Sequence, residues 1–227
     1  TVATNRYLNY WREMAMTADQ HLAPGAGLTF YVFTDQPNEA RRFSAELSRS
    51  QVFPIRISNL GWPEATLLRY EVFSEFWHRV REDVIAHLDA DMIVARPTYI
   101  HPRPELCPNG IAFVRHPGFR RPSQGRRLQL YLKSPRYLKG DFACWCRHGA
   151  LGSWETSRQS LAYVPRKMRN VYVCGGTWMG LRESLGDMIS MLADRTAVDT
   201  SRGVVATWHD ESHLNWYASR HEHFLFD

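Results

Sequence analysis

Cysteine is scarce in this chain of 227 residues, with four in all: Cys107, Cys144, Cys146 and Cys174. Four scattered thiols do not make a disulfide framework, so a packed core is expected to hold the fold. Cys144 and Cys146, followed by His148, are spaced by a single residue, an unusual pattern for a structural zinc site. No Asn-x-Ser/Thr sequon occurs, so nothing points to a glycosylated secretory protein. No apolar run approaches the roughly 20 residues that a membrane-spanning helix needs. The opening TVATNRYLNYW has no charged stretch followed by an apolar one, so no signal peptide is expected in it. It reads instead like a strand entered midway. Low-complexity segments and internal repeats are also missing, which argues against disorder for most of the chain.

What is present suits one large domain. The chain is 44% hydrophobic and 13% aromatic, enough for a full core. The formal charge is +5, and the excess is local. Arg115, Arg120, Arg121, Arg126, Arg127, Lys133, Arg136, Lys139 and Arg147 crowd one segment. Such a patch suits nucleic acid, anionic lipid head groups or an acidic glycan, or is simply a solvated loop.

The first hundred residues alternate between helical and extended patterns. Residues 7–22 carry apolar positions at helical spacing, and LTFYVFT (28–34) is rich in β-formers. PNEARRFSAELS is a predicted helix. QVFPIRIS is a predicted strand, placed at an edge by Pro54. Residues 62–80 form one amphipathic pattern with Pro63 suited to a first helical turn. Residues 83–96 form a buried strand running into an acidic turn. This alternation predicts an α/β protein with a mostly parallel sheet and helices on both faces, whose ligands sit at the carboxyl ends of strands. The Pro-, Arg- and Gly-rich stretch 101–152 is expected to leave the core. Regular elements then return: NVYVCGGTWMG as strand and glycine turn, and RESLGDMISMLADRTAVD as helix.

Two clusters carry chemistry. Asp89 and Asp91 follow an apolar run, and two carboxylates at that spacing can converge on a magnesium or manganese ion whose other ligands come from a phosphate. A helix cap with a solvated second Asp is the bland alternative. The second cluster is WHDESHLNWY (208–217). His209 and His213 would share a helix face and could hold zinc, with Asp210 in the place of the usual Glu. The acid is one methylene short, GVVAT before it has strand character, and no clear third ligand follows. Alternatively Asp210 and Glu211 face a sugar, binding hydroxyls or stabilising positive charge at an anomeric carbon. His213 would then support the turn from within.

YVFTDQP, HLDADM, CGGTWMG and WHDESHLN, in this order along the chain, resemble glycosyltransferase family 6. The resemblance implies a GT-A fold with one Rossmann-like mixed sheet, flanking helices and an Asp-x-Asp metal turn. It implies a single catalytic domain over 1–227, with a nucleotide-binding half (1–100), the basic excursion (101–152) and an acceptor and catalytic half (153–227). It also implies retaining transfer of Gal or GalNAc from a UDP-sugar to the 3-hydroxyl of a galactoside or fucosyl-galactoside. Position by position, Val2, Ala3 and Tyr7 match the uracil-holding segment. Arg69 matches an arginine at the donor sugar and phosphate. Asp89 and Asp91 match the metal-binding acids, with Ala90 between them on the donor side. Cys174, Gly175 and Gly176 match the stretch that sets donor choice, and Asp210 matches an acid that binds the donor sugar. Glu211 matches the nucleophile or charge stabiliser. His116, Ser153, Trp154 and Trp208 match the acceptor side.

Members that carry asparagine in place of both metal-binding acids need no metal. This chain keeps both, so a Mn²⁺ requirement is expected, with Mg²⁺ second. The small Cys174, Gly175 and Gly176 leave room beside the sugar 2-position, which favours GalNAc over Gal. The alternatives are another UDP-sugar donor, or a zinc hydrolase through His209 and His213. The basic 115–147 segment suggests an anionic membrane surface, and no nucleic acid is expected. The setting expected is cytoplasmic or peripheral to a membrane in a bacterium or virus, or else a trimmed Golgi lumenal domain.

Overall fold

Apolar residues recur at Leu8, Trp11, Ala15 and Ala18, a spacing that puts them on one face of a helix. They form the buried side of α1 (Tyr7–His21). The computed structural model that contains it describes residues 1–99 and 107–226. Strand β1 (Leu28–Thr34) follows, then α2 (Pro37–Phe43) and β2 (Ser50–Arg56). β1 and β2 pair in parallel from Leu28–Ser50 to Thr34–Arg56. β2 pairs with no other strand among the described residues, so Pro54 costs no second ladder.

The expected helix over 62–80 is two helices, α3 (Glu64–Leu67) and α4 (Arg69–Phe76). They break at Leu68, whose backbone leaves the helical region, and the break sets Arg69 at the first position of α4. β3 (Val84–Leu88) then runs into the Asp89–Asp91 turn. β4 (Ile111–Arg115), β5 (Val173–Leu181) and β6 (Phe224–Phe226) complete a four-stranded sheet in the order β3-β5-β4-β6. β5 is antiparallel to both β3 and β4, and β4 is parallel to β6.

Two expectations are corrected here. The sheet is mixed, as the GT-A reading requires, but its hydrogen bonds divide it into the β1–β2 pair and the β3-β5-β4-β6 sheet. The residues that join the two are Thr1–Ala3. Val2 bridges Phe33 of β1, while the Thr1 hydroxyl donates to the Leu88 carbonyl of β3 at 2.7 Å. The alternation also overstated parallel pairing, because β5 returns through the middle of the sheet after a long excursion.

That excursion is not wholly outside the core. Its Ile-Ala-Phe run is β4, and Ile111, Ala112 and Phe113 are fully buried. The surrounding Pro, Arg and Gly masked a short apolar strand. The part that does leave the core is a helical hairpin, α5 (Gln124–Lys133) and α6 (Pro135–His148). The expected boundary at residues 100 and 101 lies outside the described residues.

Helices α7 (Arg182–Ser201) and α8 (His209–Ala218) close the fold. The main core packs Phe73 of α4, Trp178 of β5, Leu185 and Leu192 of α7 and Leu214 of α8 together. A second core lies under α1 and contains Ala3, Trp11, Val32 and Ala90. The site lies between these two cores.

Candidate active site

β5 holds the key to the site because of an irregularity. Phe113 of β4 pairs with Trp178, whereas Arg115 pairs with Val173. Two steps along β4 therefore span five along β5, and Cys174–Thr177 bulges out of the β4 ladder. Bulges of this kind re-aim groups next to active sites. Here the bulge frees the Gly175 N–H, which donates to Glu211 Oε2 at 2.8 Å.

The expected glycine turn is thus strand with a bulge, and its glycines serve a packing role. A Cβ on Gly175 would stand 2.9 Å from the Glu211 Cβ. A Cβ on Gly176 would stand 2.7 Å from Asp89 Oδ2, because Asp89 lies across the ladder and its N–H donates to the Gly176 carbonyl. Both spaces are taken by carboxylates. The glycines make room for Glu211 and Asp89, so the room expected for an N-acetyl group does not follow from them.

Arg69 joins the acids. It is only 6% exposed, and its guanidinium bridges Asp89 Oδ1 at 2.8 Å and Asp210 Oδ2 at 2.7 Å. A buried cation needs such partners. Asp89 is held well below the usual carboxylate range by Arg69 and by His87, against the effect of burial. Asp210 goes the other way. Burial, with Asp89 and Glu211 close by, pushes it up to about 7 despite Arg69.

Helix α8 begins at His209, whose φ of 44° is uncommon for a non-glycine residue. Backbone strain of this kind collects at functional sites. The two residues after it diverge, Asp210 towards α4 and Glu211 towards β5. Both lie in the first turn, where the helix dipole favours negative charge. Asn215, one turn on, locks α8 to β5. Its side chain accepts from the Val173 N–H at 2.8 Å and donates to the Val173 carbonyl at 2.9 Å. Glu155 secures the approach to α8 by accepting from Thr207 N–H at 2.7 Å.

The zinc reading of this segment is corrected by the same geometry. His209 Nδ1 meets the Thr66 hydroxyl at 3.1 Å, whereas His213 is buried with Nε2 3.6 Å from Asp199. The two rings serve different neighbours, and His213 supports the helix from within.

On the metal side, Asp89 is partly buried and Asp91 is exposed. No group of three or more candidate metal-ligating side chains occurs among the described residues. Two carboxylates are nonetheless a suitable donor set for magnesium or manganese when a diphosphate supplies further oxygens. Asp89 Oδ1 is already engaged by Arg69 and His87, so Oδ2 and Asp91 are the oxygens that would hold the ion.

Val2, Ala3 and Tyr7 lie where β1 and β3 end. Tyr7 packs against the cluster that contains Ala90, beside the acidic turn. Ala3 requires a correction. It is fully buried in that core, and its N–H donates to the Phe33 carbonyl at 2.8 Å, so it supports the segment from within and is not free to face a uracil. On the opposite side, His116 lies 5.8 Å, edge to face, from Tyr172, and Ser153 accepts from the Tyr172 hydroxyl at 3.2 Å. Trp208 is half exposed at the mouth of α8. Trp154 requires a correction. It is 2% exposed, and its N–H donates to the Leu151 carbonyl at 3.3 Å. It packs under Tyr172 and is not free to face a glycan.

Sequence reasoning passed over His87, Tyr172, Asn215 and Glu155. His87 had a readable signal, since it lies two residues before Asp89 and so on the same strand face. Burial holds it down to about 4, so it is a neutral partner of Asp89 and Arg69. Asn215 follows Glu211 by one helical turn. Tyr172, whose phenol is pushed up by burial and by the nearby Glu211 charge, left no signal.

A family model described as Glycosyltransferase family 6 matches residues 1–101 and 147–223. The chain is 25% identical to histo-blood group ABO system transferase 1 of Rattus norvegicus, over 97% of this chain and 56% of the relative. It is 23% identical to globoside alpha-1,3-N-acetylgalactosaminyltransferase 1 of Gallus gallus, with 97% and 56% covered. It is 22% identical to the O-antigen biosynthesis glycosyltransferase WbnI of Escherichia coli, with 95% and 79% covered. The chain thus spans little more than half the length of the rat and chicken relatives.

Proposed function

The chain belongs to glycosyltransferase family 6, and on that premise we propose that it moves GalNAc or Gal from a UDP-sugar to the 3-hydroxyl of a galactoside, with retention at the anomeric carbon. The observation that carries this reading is the meeting of Arg69, Asp89, Asp210 and Glu211 around the β5 bulge. Sugar transfer needs charge opposed at the leaving diphosphate and a carboxylate near the anomeric carbon. This centre holds both kinds of group.

Arg69 opposes the negative charge that grows on UDP, and its planar fork suits phosphate oxygens. Asp89 and Asp91 would hold a divalent cation, which would supply further neutralisation of the leaving diphosphate. Asp210, fixed by Arg69, accepts from hydroxyls of the donor sugar. Glu211 has one oxygen tied to the Gly175 N–H, so its carboxylate is oriented before substrate arrives. It stabilises the positive charge that develops at the anomeric carbon. Tyr7 and Val2 take the uracil, while His116, Ser153 and Trp208 line the acceptor side.

The test is UDP release from UDP-GalNAc and UDP-Gal, with Mn²⁺ or EDTA, for the wild type and Asp91→Asn, using lactose or fucosyl-lactose as acceptor. Release that needs Mn²⁺ and is lost in Asp91→Asn supports the reading, and the faster donor identifies the sugar. Release that survives both EDTA and the substitution removes the metal from the account. Release only from another UDP-hexose overturns the donor assignment.

A further inference from the structure

The α5–α6 hairpin has features that the sugar chemistry does not use. The family model passes over residues 102–146, the stretch that contains nearly all of it. The end of α6 is tied to the body, where the Cys144 thiol donates to the Gly152 carbonyl at 3.3 Å and Arg169 donates to the His148 carbonyl. The hairpin is also braced within itself. Arg121 Nε donates to Asp141 at 2.8 Å, and the Tyr131 hydroxyl donates to the same carboxylate at 2.6 Å. Both helices are amphipathic, yet each carries large apolar residues that face outward. On α6, Leu138, Phe142 and Trp145 recur at helical spacing and are 48%, 69% and 55% exposed. On α5, Leu128 and Leu132 lie one turn apart and are also exposed.

The charge around these stripes is of one sign. Residues 115–147 hold nine Lys and Arg and a single acid, Asp141, which is buried and already engaged by Arg121. Arg126, Lys133, Arg136, Lys139 and Arg147 are exposed and form no ion pair among the described residues. Leu, Phe and Trp on one flank of a helix with Lys and Arg on the other is the pattern of helices that lie in a membrane interface. Exposed apolar patches of this kind mark interaction sites.

We propose that the α5–α6 hairpin docks the protein on an anionic lipid surface, with Leu138, Phe142 and Trp145 entering the head-group layer and the basic side chains meeting lipid phosphates. Charge complementarity selects this occupant. A second copy of the chain would bring like-charged hairpins together, and a nucleic acid would leave the apolar stripes exposed to water.

The experiment is co-sedimentation of the full chain with phosphatidylcholine vesicles, alone or with about a third phosphatidylglycerol. The wild type should bind the anionic vesicles at least about tenfold better than neutral ones and should be released by high salt. Leu138→Ser/Phe142→Ser/Trp145→Ser and Arg136→Gln/Lys139→Gln/Arg147→Gln should each lose that binding. Unchanged melting temperatures in both variants separate docking from folding. Equal binding to neutral vesicles, no binding, or binding kept by both variants overturns the proposal. So does self-association abolished by the serine variant, or tight binding of a single-stranded oligonucleotide by protein that ignores the vesicles.

Discussion

The centre around Arg69 and the α5–α6 hairpin are both rich in charge, and they treat it in opposite ways. At the centre, one cation with little exposure holds two carboxylates from different elements, and a third is tied to a backbone N–H. In the hairpin, the cations stand in solvent and the large apolar side chains stand beside them. Charge removed from water must be paired and fixed, whereas charge left in water is screened and contributes little to stability. The centre is therefore built to hold a geometry, and the hairpin to present a surface.

The sharpest way to break this contrast is to remove the shared cation. Arg69→Met leaves Asp89 and Asp210 facing each other without it, and should cost about 3–5 kcal/mol in urea unfolding. Adding Asp210→Asn should restore part of that loss, because the two residues are coupled. Simple additivity in that cycle would mean that the pair is not a unit. A smaller effect is expected from Gly175→Ala. The new Cβ would press on Glu211, so stability should fall by about 1–3 kcal/mol and UDP release should fall with it. Full activity in this variant would show that the bulge does not position Glu211.

The pH dependence tests the buried groups more finely. Burial holds His87 and His213 at about 4, below their usual 6.5, and pushes Asp210 up to about 7 from 3.8. Between these limits the unfolded chain binds two more protons at the histidines, and the folded chain binds one more at Asp210. The unfolded state is the net proton binder, so stability of the nucleotide-free protein should fall as pH drops from about 6.5 to 4. Denaturant titrations across this range should show a flatter slope for His213→Gln and a steeper one for Asp210→Asn. The smallest effect belongs to the hairpin. Arg136→Gln/Lys139→Gln should stay within about 0.5 kcal/mol of the wild type and leave turnover of a soluble acceptor unchanged. A larger stability loss would mean that these charges are structural after all.

Much of this was legible in the sequence, and for physical reasons. Regular elements with clean periodicity, such as Tyr7–His21 and Leu28–Thr34, follow from local pattern alone. Asp89 stood out with Asp91 as paired carboxylates after an apolar run, and Asp210 and Glu211 stood out between two histidines spaced to share a helix face. What stayed hidden depends on long-range pairing. No local signal tells that β5 bulges between Val173 and Trp178, or that two glycines exist to admit acids from β3 and α8. Trp154 matched an acceptor position, yet its burial is set by Tyr172 and Val164 from distant parts of the chain. β4 was missed because only a few apolar residues mark it amid loop-like neighbours.

The central claim is that Glu211, oriented by the Gly175 N–H, stabilises the charge at the anomeric carbon. Its most direct test is the rate of UDP release by Glu211→Gln, with donor, acceptor and Mn²⁺ saturating and the melting temperature measured alongside. The account predicts a fall of about 100- to 1,000-fold in turnover, the usual scale for losing one transition-state contact, with melting nearly unchanged. Turnover close to wild type in a properly folded variant would contradict it and move the chemistry to another residue.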